Sequence, residues 1–201
     1  PEPSNYPSVT FLVPAYNEED YVQECLESLI GQDYPSDKLE IIAINDGSTD
    51  GTLEKMKKYK DKIQIIDKEN SGKASSLNYA LDRVDTDIVG CMDADSFADE
   101  NFVRNMVGYF DDKDVKGVTP AMKVLNPVTW PQKIMWAEFI YNVLLIKMFS
   151  IFDSQWVMPG PGSLYEAEYL KDLGGWDEET LTEDMEIAFR MFKHGGKLKN
   201  S

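Results

Sequence analysis

The apolar run Ile88-Val-Gly-Cys-Met92 ends in Asp93-Ala94-Asp95, two carboxylates separated by one small residue. Strand side chains alternate faces, so residues two apart point the same way and both acids converge at the strand's carboxyl end. Open α/β sheets bind their ligands at such ends. Two hard oxygen donors suit Mg²⁺ or Mn²⁺, which keep waters and draw further ligands from phosphates; a D-x-D also serves as an ordinary turn. Asp46 follows a second apolar run, in Asn45-Asp-Gly-Ser-Thr-Asp50. It can form the turn and cap a helix, or accept a hydrogen bond from a nucleobase imide N–H. Lys73 lies at a predicted helix start, where a cation is poorly placed unless an anion such as diphosphate binds there too. Thr182-Glu183-Asp184 reads as an N-cap with acids in the first turn. The same spacing would serve a general base at Asp184 taking a proton from a hydroxyl. His194 sits at a Gly-Gly helix stop and caps the last turn, and no Ser/His/Asp or Cys/His arrangement is evident.

Two nucleotide motifs are excluded. Pro14-Ala-Tyr-Asn-Glu18 stands where a dinucleotide fingerprint would need G-x-G-x-x-G. Ser71-Gly-Lys-Ala-Ser75 lacks the first glycine of a phosphate-binding P-loop, since position 67 is Asp.

The elements that must position these groups alternate. Strands are predicted at Ser8–Val13 (ended by Pro14), Leu39–Ile44, Ile63–Ile66, Ile88–Met92 and Val115–Thr119. Helices are predicted at Glu18–Ile30, after Thr49 or Asp50, from Ser71 or Gly72 to about Val84, and at Glu100–Phe110. The pattern predicts an α/β fold, a mostly parallel sheet flanked by helices on both faces. Right-handed crossovers bring Pro14, Asp46 and Asp93 to one edge of it. Residues 8–120 form this nucleotide-binding half and 121–201 a second half.

In that second half Trp130–Phe152 is apolar almost all round, but Lys133, Glu138, Asn142 and Lys147 argue against a membrane span. Its pattern alone favours burial in a core over a membrane interface. A Pro159-Gly-Pro-Gly162 loop follows, then a short helix from Glu166 to Leu173 and a Gly174-Gly-Trp-Asp177 turn. A last helix, 182–193, is predicted to turn Met185, Ala188, Phe189 and Phe192 inward.

The 201 residues are 42% hydrophobic, enough for one globular domain, and carry a net charge of −16 from 36 acids and 20 bases. That charge excludes nucleic acid as a partner. An anionic substrate would be repelled unless a divalent cation and local basic groups reversed the field. Cys25 and Cys91 have no metal-ligand spacing and read as free thiols of a reducing compartment, and no secretory signal pattern is present. The chain begins Pro1-Glu2-Pro3 and stops at Asn200-Ser201, so the expectation is a domain cut from something longer.

Taken in order, Pro14-Ala-Tyr-Asn-Glu18, Asn45-Asp-Gly-Ser-Thr-Asp50, Gly72-Lys-Ala-x-x-Leu-Asn78, Asp93-Ala-Asp95 and Thr182-Glu-Asp184 resemble the family 2 glycosyltransferases of GT-A fold. The resemblance runs from about Ser8 to Lys197. With Gly174-Gly-Trp-Asp177 it looks like the membrane-associated synthases of the cellulose, hyaluronan and poly-N-acetylglucosamine type. It implies an inverting, metal-dependent transfer from a nucleotide-sugar, a UDP-sugar by family likeness, to a glycan or lipid acceptor. Pro14, Tyr16 and Glu18 would frame the nucleoside, Asp46 the uracil imide, Lys73 the diphosphate and Asp93 the ribose or sugar. Asp95 would hold Mg²⁺ or Mn²⁺, Asp184 would be the base with Glu183 supporting it, and Gly162, Ser163 and Trp176 would lie near the acceptor. The family's Gln-x-x-Arg-Trp motif and membrane helices are not in this sequence, which implies a catalytic domain of a membrane protein, at the cytoplasmic face. In that setting 130–152 becomes an interfacial helix rather than a core one. The alternatives are transfer to a polyprenyl phosphate, and a non-catalytic nucleotide-binding module.

Overall fold

The computed structural model describes residues 3–125, 127–152, 154–155, 157–180 and 182–201. Along the chain run β1 (Val9–Ala15), α1 (Val22–Ile30), β2 (Leu39–Asp46), α2 (Thr52–Lys57), β3 (Gln64–Lys68), α3 (Lys73–Leu81), β4 (Ile88–Cys91) and α4 (Phe102–Val107). After a 3₁₀ turn, Gly108–Asp111, come β5 (Val115–Thr119), α5 (Trp130–Ile151), β6 (Leu164–Glu166), α6 (Ala167–Asp172), α7 (Glu183–Lys193) and β7 (Lys197–Asn200).

The seven strands form one sheet in the order β3-β2-β1-β4-β6-β5-β7. β1 pairs in parallel with β2 and β4, and β2 with β3. β6 is antiparallel to both its neighbours, and β7 is parallel to β5. The mostly parallel α/β architecture expected from the alternating pattern is the one observed. Side-chain alternation divides the core. Val9, Phe11, Val13, Ile41 and Ala43 pack with α1, α2 and α4 on one face. Leu12, Ile42, Ile44, Val89 and Cys91 pack with α3, α6 and α7 on the other. Gly90 permits a close approach at the centre, because a Cβ there would lie 2.5 Å from the Phe11 ring and 2.8 Å from Leu164. Both cysteines are free and buried, and burial pushes the Cys25 thiol up to about 12, as expected of inert thiols.

Several sequence expectations need correction. Pro14 does not end β1, which continues to Ala15 alongside β2. The ladder to β4 stops at Leu12–Cys91, so the missing proline N–H removes no bond on that side. α1 starts at Val22 rather than Glu18, after a turn in which the Tyr21 and Val22 amides both donate to the Glu18 carbonyl. Gly51 rather than Thr49 or Asp50 is the α2 N-cap, although Asp50 Oδ1 accepts from the Thr52 amide at 3.0 Å.

β6 and β7 escaped the sequence reading because three or four residues carry too little periodicity. β7, Lys-Leu-Lys-Asn, has the lysine-rich character of an edge strand, and it lies at the sheet edge. The core reading of 130–152 is overturned. Among the described residues of α5 only Ser150 is buried, and by length and composition the helix could cross a membrane.

α7 turns Ala188 inward as expected, but the rest of its inward face differs. Ile187, Ala188 and Met191 are buried, while Met185, Phe189 and Phe192 are exposed. Both triplets obey helical spacing, so periodicity alone could not choose between them.

Candidate functional site

β1, β2 and β4 run in parallel and in register, so the segments that follow them emerge together. They frame a cleft of about 250 Å³ lined by Pro14, Ala15, Tyr16, Glu18, Asp46, Lys73, Asp93, Ala94 and Asp95. Pro14, Tyr16, Glu18, Asp46, Lys73, Asp93 and Asp95, all singled out from sequence, thus converge on one hollow. The loop after β1 is fastened to the loop after β2. Asn17 adopts a left-handed backbone (φ 57°), its amide donates to Ser48 Oγ at 3.0 Å, and its Oδ1 accepts from the Thr49 amide at 2.8 Å. Asn tolerates that conformation better than most residues, and the turn leaves Tyr16 exposed at the mouth. Burial, followed by the negative charges of Asp95, Asp50 and Asp93, raises the Glu18 carboxyl above its usual range.

Asp46 forms the buried floor. Its Oδ1 accepts from Lys68 Nζ at 2.5 Å and from the Ser71 amide at 3.0 Å, and its Oδ2 from the Gly72 amide at 2.9 Å. Burial raises the carboxyl, but the Lys68 ammonium, the Ser71 and Gly72 amides and the Ser76 hydroxyl outweigh it, so Asp46 titrates below the usual carboxylate range. Sequence reasoning missed Lys68. The available signal was strand register, since Lys68 is the partner of Asp46 in the β2–β3 pairing.

Lys73 joins the cleft to the start of α7. Its ammonium lies 2.7 Å from Asp93 Oδ1 and 3.5 Å from Glu183 Oε1. Burial opposes that charge, yet the negative groups around it, Asp93 and Asp184 among them, hold the ammonium above the ordinary lysine range. Asp184 is not a wall of the cleft; it stands behind Lys73, with Oδ2 accepting from the Gly160 amide at 2.8 Å. Burial raises its carboxyl most. The Gly160 N–H and Lys73 oppose that, Glu183 and Asp93 reinforce it, and the net direction is up. A carboxyl shifted toward neutrality is suited to taking a proton.

Gly160 was not chosen from sequence, although its loop was. A Cβ there would lie 2.7 Å from Lys73 Nζ and 3.4 Å from Asp184 Oδ1, so the absent side chain lets this loop reach both groups.

Gly162 and Ser163 fasten the same loop to β4. The Gly162 amide donates to the Cys91 carbonyl at 2.6 Å, the Cys91 amide donates to the Ser163 carbonyl at 3.1 Å, and Ser163 Oγ donates to the Pro159 carbonyl at 2.5 Å. Ser163 is fully buried. Trp176 is 3% exposed and meets Tyr165 edge-on at 5.7 Å. Asn78 of α3 receives the Trp176 amide at 2.8 Å and donates to its carbonyl at 2.8 Å. The Ser163 and Trp176 side chains are thus occupied inside the fold, and it is their backbone and loop that border the Lys73 region. An indole beside an apolar pocket gains more by burial than by standing in water, and here it braces the helix that carries Lys73.

Among the described residues no three His, Cys, Asp or Glu side chains form a ready-made metal cage. Asp95 nevertheless fits a hard cation. It is exposed on the cleft, and among the described residues its donor is the neighbouring Ser96 hydroxyl at 3.3 Å. A single open carboxylate suits ions that keep several waters and share phosphate oxygens.

The geometry has counterparts among known proteins. A family model described as Glycosyl transferase family 2 matches residues 10–174. Poly-beta-1,6-N-acetyl-D-glucosamine synthase of Staphylococcus aureus (strain MSSA476) is 31% identical over 196 residues, covering 95% of this chain and 47% of that protein. The mannosyltransferase PcManGT of Pyrobaculum calidifontis, solved with GDP-Man and Mn²⁺, superposes with a TM-score of 0.83 at 27% identity, over 100% of this chain and 56% of that one. TarS 1–349 of S. aureus with UDP, at TM-score 0.77, 23% identity and coverage of 96% and 57%, shares the fold. The chain spans about half the length of the curated relatives it matches.

Proposed function

The chain belongs to glycosyl transferase family 2 and has the GT-A fold, and from that premise we propose an inverting transfer of a sugar from a nucleotide-sugar to a hydroxyl of a glycan or glycolipid. The observation that carries this reading is the position of Lys73, which touches Asp93 of the cleft and Glu183 at the start of α7 and also neighbours Asp184. Donor and general base are thereby held one side chain apart.

Tyr16, Pro14 and Glu18 frame the nucleoside, and Asp46 accepts from the base N–H. Lys73 binds the diphosphate, exchanging its carboxylate partners for phosphate oxygens, while Asp93 turns to the ribose or sugar. Asp95 would hold a divalent cation, Mg²⁺ or Mn²⁺, which when bound would add to the neutralisation of the diphosphate. The acceptor oxygen attacks the anomeric carbon opposite the diphosphate. Asp184 takes the hydroxyl proton as the new C–O bond forms, and the old anomeric C–O bond breaks with its electron pair leaving on the nucleoside diphosphate. Glu183 supports the base, and the amide of Gly160 fixes its orientation.

A polysaccharide product is favoured by the poly-beta-1,6-N-acetyl-D-glucosamine synthase relative, a nucleotide-sugar and a metal by the GDP-Man and Mn²⁺ of the mannosyltransferase, and uracil as the base by the family resemblance of the sequence. In the longer protein α5 lies along the cytoplasmic membrane interface, with Trp130, Ile134, Tyr141, Leu144 and Ile151 available to lipid.

The test is transfer from UDP- and GDP-sugars to oligosaccharide and polyprenyl-phosphate acceptors with Mn²⁺. Asp184→Asn is expected to lower turnover by roughly 10²–10⁴-fold with donor affinity retained. Unchanged turnover onto polyprenyl phosphate, whose oxygen is already ionised, would transfer the case to that acceptor. Metal-dependent nucleotide binding with no transfer or donor hydrolysis in the longer protein would mark a binding module.

A further inference from the structure

Beneath the cleft floor lies a second cation, Lys68, that the reaction above does not use; it is absent from the cleft lining and its ammonium is engaged by the protein. Its ammonium reaches Asp46 Oδ1 and Ser71 Oγ at 2.5 Å, the Glu69 carbonyl at 2.9 Å and Ser76 Oγ at 3.3 Å. The Lys68 and Asp46 side chains are 16% and 5% exposed. We propose that Lys68 is a positioning residue that makes the cleft floor selective for nucleobases presenting a ring N–H, uracil and guanine, over those presenting a bare ring nitrogen, cytosine and adenine. This rests on Asp46 meeting the base, as assigned above.

The argument is one of donors and acceptors. Lysine has no acceptor, and the Ser71 and Gly72 backbone groups that meet Asp46 are N–H donors. Each therefore favours the ionised carboxylate, which can only accept. The base edge opposite it must then donate. Uracil N3–H and guanine N1–H do so; cytosine N3 and adenine N1 would bring a lone pair against a lone pair and leave a desolvated carboxylate unpaired, which is a strong basis for rejection. Lys68 is the charged group in contact with Asp46, while Lys73, Glu18, Asp93 and Asp95 line the same cleft. Without Lys68, Asp46 would protonate more readily, gain an O–H donor and tolerate the cytosine edge.

Calorimetry with UDP, CDP and inorganic pyrophosphate in Mn²⁺, between about pH 5 and pH 8, tests this on wild type, Lys68→Met, Lys68→Gln and Lys68→Arg. Gln keeps an N–H on Asp46 and carries the comparison should Met unfold the site. The neutral variants are expected to lose on the order of tenfold in UDP affinity at neutral pH with pyrophosphate unchanged. Their preference for UDP over CDP should narrow on acidification more than in wild type, and Arg should restore both. Equal losses for UDP and pyrophosphate, or a UDP-to-CDP ratio that tracks wild type at every pH, would overturn the proposal. Asp46→Asn separates the layers. If that variant keeps the wild-type ratio, Asp46 does not read the base and the underlying assignment fails. If it erases the ratio while the Lys68 variants preserve it, only the role of Lys68 falls.

Discussion

Asp184 carries a burial penalty that its neighbours only partly offset. The Gly160 amide and Lys73 favour its charged form, whereas Glu183 and Asp93 oppose it, and the carboxyl ends above the ordinary aspartate range. Two consequences follow for pH. As the proposed base, Asp184 must be ionised for transfer, so on that proposal the acid limb of kcat/KM should fall at a pH above that of an unperturbed aspartate. Stability runs the other way: the folded carboxyl binds a proton more readily than the unfolded one, so its contribution is full below the unfolded pKa and is lost as pH rises through the folded one. Asp184→Asn should accordingly raise the urea midpoint in neutral buffer, and the gain should disappear on acidification toward about pH 4. A gain that persists in acid would count against the burial of this charge as the cause.

At the scale of elements, α3 does the most to assemble the site. It follows an N-cap at Gly72, starts with Lys73, and uses Asn78 to clasp the turn containing Trp176. α5 contrasts with it: 22 residues, capped by Thr129 and Gln132 in a capping box, with its apolar side chains largely in water. An exposed apolar surface of that size marks an interaction site. Sedimentation with phosphatidylcholine vesicles is expected to capture the protein, and replacing Ile134, Tyr141 and Leu144 by Gln should release it while leaving nucleotide binding intact. Capture unaffected by the triple change would remove α5 from the membrane.

For the whole molecule, net charge matters most. A chain at −16 binding an anionic nucleotide needs positive charge at the site, and among the cleft walls Lys73 is the basic side chain. Metal and nucleotide should therefore stabilise the fold together more than separately. At a nucleotide concentration of about 100 Kd the gain is roughly 2.7 kcal/mol, read as a rise in Tm. Chelation with EDTA should abolish most of that rise. A nucleotide-induced shift indifferent to EDTA would argue against metal-assisted diphosphate binding.

From its residues alone the chain was legible as an α/β sheet with its chemistry at one edge, because short apolar runs leading into Pro14, Asp46 and Asp93 can be read locally. Lys73, Asp95 and Asp184 stood out for the same reason, each at a strand end or helix start. Tertiary structure decided what depends on partners distant in sequence. It paired Lys68 with Asp46 through strand register, brought Gly160 against Asp184, and chose which of two equally periodic faces of α7 would be buried. It also turned Trp176 inward and α5 outward, a choice hydrophobicity cannot make, because an apolar side chain is buried only where a neighbouring surface exists to receive it.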